Sequence, residues 1–223
     1  MFELIDRVES PGGSDVTLNR HGADMVILVN GKNLMSSREH GSEEALATMG
    51  CARARSLPAP VVLIGGLGMG FTLRATLDYL PPGASVVVAE LLDAVVRWNT
   101  PPRGPLSQLA GHPLADPRVS VVQGDVLDTL RANPRRFDAI LMDVDNGPTA
   151  FSQEGNAGLY DNAGVALMRD ALAPRGTLAV WSAQEDRRYE HRLRHAGFEL
   201  TTERVRSRLK KGGSRHVIFL AQS

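Results

Sequence analysis

The chain has 223 residues, 43% hydrophobic and 22% charged, with 25 basic side chains balancing 25 acidic ones. That length suits one well-buried core, and a net charge of zero removes any global attraction to nucleic acid or to an anionic membrane. The lone Cys51 excludes an internal disulfide and a cysteine-built zinc centre, so a reducing cytoplasm is the expected setting; no apolar run reaches the length of a membrane span, and no signal pattern opens the chain.

Residues 1–40 read as a β-strand extension. Phe2 to Val8, Asp15 to Asn19 and Asp24 to Val29 are strand-like, and Pro11-Gly12-Gly13, His21-Gly22 and Asn30-Gly31 supply turns. A helix starts near Ser42, where a capping hydroxyl is followed by the acids Glu43 and Glu44 and by Ala45, Leu46 and Met49 at helical spacing. Cys51, among Ala and Arg in that region, reads as a core thiol rather than a nucleophile.

From Pro60 the pattern becomes strand–helix alternation, and residues 41–223 read as one catalytic domain. Val61-Val62-Leu63-Ile64 is a run suited to a strand buried on both faces. Further strands are expected at Ser85 to Ala89, Val119 to Val122, Phe137 to Met142 and Thr177 to Trp181, each followed by a helical stretch. Phe198 to Ser207 and His216 to Ala221 have no helix between them and must pair as an antiparallel hairpin. The sum is an α/β, Rossmann-like fold: a mostly parallel seven-stranded sheet with a C-terminal antiparallel hairpin, preceded by a small N-terminal β-hairpin region.

Open parallel sheets bind ligands beyond the carboxyl ends of their strands. Here those ends carry Gly65-Gly66-Leu67-Gly68-Met69-Gly70, then Glu90, then Asp125 with Val126, then Asp143. Glycines let backbone approach a bulky ligand. Glu90 is placed to accept from ribose hydroxyls, Asp125 suits an adenine amino group, and Asp143 faces the reactive end. Each has a plainer reading: a tight turn for the glycines, a helix cap for Asp125. Four successive strand ends together point to a nucleoside site. The dinucleotide fingerprint fails, because its last glycine falls on Phe71 or Leu73, and Phe71-Thr72 supplies no P-loop lysine. G-x-G-x-G, Gly66 to Gly70, suits a ligand without a pyrophosphate.

VLIGGLGMGFTLRA, VVVAEL, DPRVSVVQGDV, FDAILMDVDNGP and LAPRGTLAVWSA resemble, in order, the motifs of class I S-adenosylmethionine (SAM)-dependent transferases. The chain is most similar to the spermidine-synthase-like branch, whose N-terminal hairpin and helix ILVNG…SREHGSEEALA also resembles. The resemblance implies Gly65, Gly66, Gly68, Gly70, Glu90, Asp125, Val126 and Asp143 for the nucleoside, and Asp143, Asp145 and Asn146 for the chemistry. It also exposes departures. Gly68 stands where spermidine synthases carry an acid in the glycine loop, Asn146 where they carry a second strand-four aspartate, and Leu34 where their hairpin glutamine touches the nucleoside. These departures lead to the expectation of SAM itself as cofactor and methyl transfer to a small-molecule acceptor. The alternatives are aminopropyl transfer from decarboxylated SAM to make a polyamine, and a nucleoside-binding member without catalysis.

Asp143 either faces the reacting group or holds the SAM ammonium, and in the second case Asp145 and Asn146 orient the acceptor; the plainer reading is an Asx turn before Gly147-Pro148. Tyr160 and Trp181 read as packing before pocket wall, and Arg38 and His40 as solvated loop before lid. No histidine spacing suits a metal. Arg204, Arg206, Arg208, Lys210, Lys211 and Arg215 form a basic cluster that reads as a charged edge strand before a phosphate grip. A homodimer is expected, because the N-terminal strands are too few to bury themselves alone.

Overall fold

The structure, a computed structural model, describes residues 2–144, 147–148, 157–208 and 213–223. A four-stranded antiparallel sheet comes first, with β1 (Phe2–Glu9), β2 (Asp15–His21), β3 (Asp24–Val29) and β4 (Lys32–Ser36) in sequential order. Asn30 and Gly31 take positive φ, 49° and 74°, which is what a two-residue hairpin with the twist of its strands requires. The strand after that turn, β4, is not marked by the sequence: its lysine, asparagine and serine hide it. β4 also carries a bulge. Ile27 pairs with Met35 and Leu28 with Asn33, so Leu34 is the extra residue.

The second sheet has seven strands in the order β10-β11-β9-β8-β5-β6-β7, and β11 alone runs against the rest. Its strands are β5 (Val61–Gly65), β6 (Ser85–Glu90), β7 (Val119–Gln123), β8 (Phe137–Met142), β9 (Leu172–Ser182), β10 (Glu199–Arg206) and β11 (Arg215–Gln222). The helices are α1 (Gly41–Gly50), α2 (Phe71–Tyr79), α3 (Asp93–Asn99), α4 (Val126–Arg131), α5 (Ala157–Tyr160), α6 (Asn162–Ala171) and α7 (Arg187–His195). The unbroken apolar runs follow from two covered faces. Val62, Ile64, Ala139 and Leu141 point into one cluster, Leu63, Ile140 and Met142 into the other.

The small sheet packs into the first of these clusters: Val16, Leu18, Met25 and Ile27 are buried with Leu46, Leu67, Met69 and Trp98. Trp98 Nε1 also donates to Asp6 Oδ2 at 2.7 Å, fastening β1 to α3. The small sheet thus buries part of its apolar surface within one chain, while Phe2 and Leu4 on β1 stay exposed. Among the described residues no helix is long and apolar enough to cross a membrane.

One local expectation fails. Ser42 does not cap α1: His40 occupies the cap position without a side-chain capping bond, and Ser42 is the helix's second residue, its hydroxyl turned inward. The short turn α5 precedes α6, which Asp161 caps by accepting from the Gly164 amide at 2.8 Å.

Candidate active site

Parallel register sets Gly65, Ala89 and Met142 in one row. The next residues, Gly66, Glu90 and Asp143, therefore leave the sheet side by side at its carboxyl edge. Gly66 has φ 87°, and a Cβ there would lie 2.5 Å from the Asp143 carbonyl oxygen, so only glycine fits. Gly68 has φ 52°, and its missing Cβ would stand 3.0 Å from Met35 Sδ on β4. The hairpin residue that reaches the loop is thus Met35, not the bulged Leu34, which packs at the edge of the core. Gly65 lies against Met142 and Val126, and Gly70, at φ 82°, turns the chain into α2. Buried Asn99 fixes the loop from below, donating through Nδ2 to the Gly68 carbonyl at 2.9 Å.

Glu90 is 7% exposed, and its two carboxylate oxygens accept from the Leu67 and Leu92 amides, each at 2.8 Å. It ties the glycine loop to the turn after β6. Asp125 caps α4, accepting from the Leu127 amide at 2.8 Å, while the adjoining Val126 is buried beneath Gly65. The helix-cap reading holds for Asp125, which is exposed to solvent.

Asp143 is half-buried and accepts from the Thr72 hydroxyl at 2.5 Å. Burial pushes its carboxyl above the usual range, and the Thr72 bond pulls the other way. Facing it from α1 is Glu43, 6% exposed, whose carboxyl is raised first by burial and then by the Asp143 charge. Sequence reasoning missed Glu43, treating it as a first-turn acid. The signal was present: Glu43, Leu46, Ala47 and Gly50 lie on one helical stripe, and all are buried. Asp145 and Asn146 lie outside the described residues.

The remaining candidates are structural. Tyr160 packs edge-on to Tyr189 and donates its hydroxyl to the Val144 carbonyl at 3.2 Å. Trp181 sits edge-on to His216. His40 stacks on Phe71 at 4.2 Å and bonds Glu44 through Nδ1 at 2.8 Å, and Arg38 is exposed. In the basic hairpin, Arg204 pairs with Glu185 and Arg208 with Glu39, which leaves that stretch less cationic than its sequence reads; Lys210 and Lys211 lie outside the described residues. Burial pushes the Cys51 thiol up to about 12, in keeping with a core side chain. Among the described residues no cluster of side chains suits a metal ion.

No family model matches the chain. Two curated proteins of Streptomyces coelicolor are similar to it. Polyamine aminopropyltransferase 2 is 32% identical over 204 residues, 86% of this chain and 34% of its own length. Polyamine aminopropyltransferase 1 is 33% identical over 129 residues, 58% of this chain and 23% of its own length. The chain thus spans about a third or less of the relatives it matches. Among solved structures, a spermidine synthase in complex with the transition-state analogue AdoDATO superposes with a TM-score of 0.73 at 19% identity, covering 98% of this chain and 72% of that one. The spermidine synthase of Thermotoga maritima gives 0.73 at 18% identity, with the same coverage. The fold is the spermidine-synthase-like form of the class I SAM-dependent architecture.

The expectation of methyl transfer is overturned by these relatives, which are aminopropyltransferases and spermidine synthases. Two of the three sequence departures behind that expectation, Gly68 and Asn146, have a structural setting to set beside them. A side chain at position 68 would need positive φ and would approach Met35 Sδ at 3.0 Å, so the loop geometry favours glycine there whatever the charge. Asn146 lies outside the described residues, and the acid that faces Asp143 in the structure is Glu43 on α1.

Proposed function

We propose that the chain transfers an aminopropyl group from decarboxylated SAM to a small cationic amine, as the names of its relatives describe for those proteins. Because the chain matches only part of each relative, the reading rests on its own residues as well. The observation that carries it is the second buried carboxylate, Glu43, beside Asp143. Two carboxylates held from water favour cations and disfavour another anion. Decarboxylated SAM carries a sulfonium and an ammonium and no carboxylate; an alkyl diamine is likewise cationic. SAM would add its own carboxylate to a site already crowded with two, an arrangement that discriminates by repulsion.

The other residues take supporting roles in this reading. Gly66 and Gly68 keep the loop free of side chains where the nucleoside lies, Glu90 receives the ribose, and Asp125 with Val126 borders the base. Asp143 and Glu43 hold the ammonium of the acceptor and take its proton. The displacement needs little beyond alignment, since the sulfonium is already an activated leaving group.

Titration calorimetry with the two donors tests the preference. Decarboxylated SAM should bind more tightly than SAM, and Glu43→Gln should narrow the difference. Equal affinity for both donors in the parent chain would remove the support that Glu43 gives.

A further inference from the structure

Glu43 does not end at Asp143. Its Oε2 accepts from the Ser42 hydroxyl at 2.6 Å, and Ser42 Oγ stands 3.0 Å from Nδ1 of His216 on β11. Ser42 is buried, whereas the His216 ring is half-exposed. The three groups form a continuous hydrogen-bonded line from the carboxylate pair to the surface, drawn from two elements more than 170 residues apart in sequence, and beside it Gly41 ties the start of α1 to the end of β10 by donating to the Ser207 carbonyl at 2.8 Å.

We propose that Ser42 and His216 form a proton relay that empties Glu43 after each turnover. The proposal rests on the aminopropyl reading. An acceptor ammonium, R–NH3+, gives one proton to the carboxylate pair. The freed lone pair forms a C–N bond to the propyl carbon, the C–S bond breaks, and its electron pair goes to sulfur, turning the sulfonium into a neutral thioether. The product amine keeps the positive charge, so one proton per turnover is left on the pair. Glu43 then donates it to Ser42 Oγ, the Ser42 hydroxyl swings to donate to His216 Nδ1, and Nε2 of the imidazole passes a proton to water.

The charges around the line fit this direction. Burial holds His216 below its ordinary value, which favours the neutral ring, and Glu39 opposes this from the other side. Glu39 is itself engaged by Ser207 at 2.6 Å and by Arg208, which tempers its pull on the ring. On the inner end, Asp143 and Glu44 both face Glu43 with negative charge, and Thr72 bonds Asp143. Ser42 and His216 touch no substrate in this account and act through Glu43.

Kinetics and NMR together test the relay. In His216→Ala and Ser42→Ala, kcat should fall about tenfold or more with the KM for the amine held within about twofold. Added imidazole should restore His216→Ala but not Ser42→Ala, and Ser42→Thr, which keeps the hydroxyl, should stay near the parent. An unchanged kcat in both alanine variants, or a loss in His216→Ala that imidazole does not relieve, would overturn the relay. The second arm needs no turnover. The His216 ring, followed by 1H–15N NMR against pH, should titrate differently in Glu43→Gln than in the parent, and identical curves would also overturn it. If the His216 ring titrates as expected but the parent transfers no aminopropyl group, the coupling of His216 to Glu43 stands, while the aminopropyl reading and the turnover role that rests on it both fall.

Discussion

Glutamine at position 43 would keep the size of the side chain and its acceptor for the Ser42 hydroxyl, but remove a carboxyl whose ionisation is opposed by burial and by Asp143. An acid raised on folding holds its proton in the native state over a range where the unfolded chain has lost it. Stability then falls as pH climbs from the unfolded value, about 4.3 for glutamate, through the folded one. Each unit of that rise is worth about 1.4 kcal/mol. Glu43 is almost wholly shielded from water, so solvent screening does not erase the effect. Relative to E43Q, the parent should lose at least about 1.4 kcal/mol of stability between about pH 4 and about pH 8. Urea denaturation of both proteins across that range measures the gap directly. A gap that stays constant with pH would refute the buried-pair account. A gap that moves in the parent's favour would mean that Glu43 is ionised against a cation rather than set against Asp143.

Glu90→Ala should weaken donor binding by about 1.5–3 kcal/mol, the range for hydrogen bonds to a charged group, as measured by calorimetry; unchanged affinity in the folded variant would leave Glu90 as the tie between the Leu67 and Leu92 amides and no more. Gly68→Asp should lower the melting temperature, because the φ of 52° costs a side chain about 1–2 kcal/mol and the new Cβ meets Met35. An unaltered melt would show that the loop tolerates an acid and would revive loop charge as the meaning of that glycine.

Much of the α/β body was legible because its signals are local. Val61 to Ile64 reads as a doubly covered strand from its apolar run, and Phe137 to Met142 has the bounds expected of it. The hairpin of β10 and β11 follows from the lack of a helix between two strand patterns. What was hidden depends on partners far away in sequence. β4 is short and polar, and its bulge at Leu34 shifts the register so that Met35 is the hairpin residue that meets the glycine loop. Ser42 offered a capping hydroxyl, yet His216 and Glu43 claim it instead. Glu43 looked like a solvated first-turn acid, although the stripe it shares with Leu46, Ala47 and Gly50 already placed it inside. Its meaning comes only from Asp143, one hundred residues on in the chain. Reading the missing acids at Gly68 and Asn146 without that partner led to methyl transfer.

Turnover tests the central claim most directly. The purified chain, given decarboxylated SAM and a short alkyl diamine, should release 5′-methylthioadenosine and the aminopropylated amine in equal amounts, both read by mass spectrometry, and Asp143→Asn should abolish both products. Binding of decarboxylated SAM with no aminopropylated product from any diamine would contradict it.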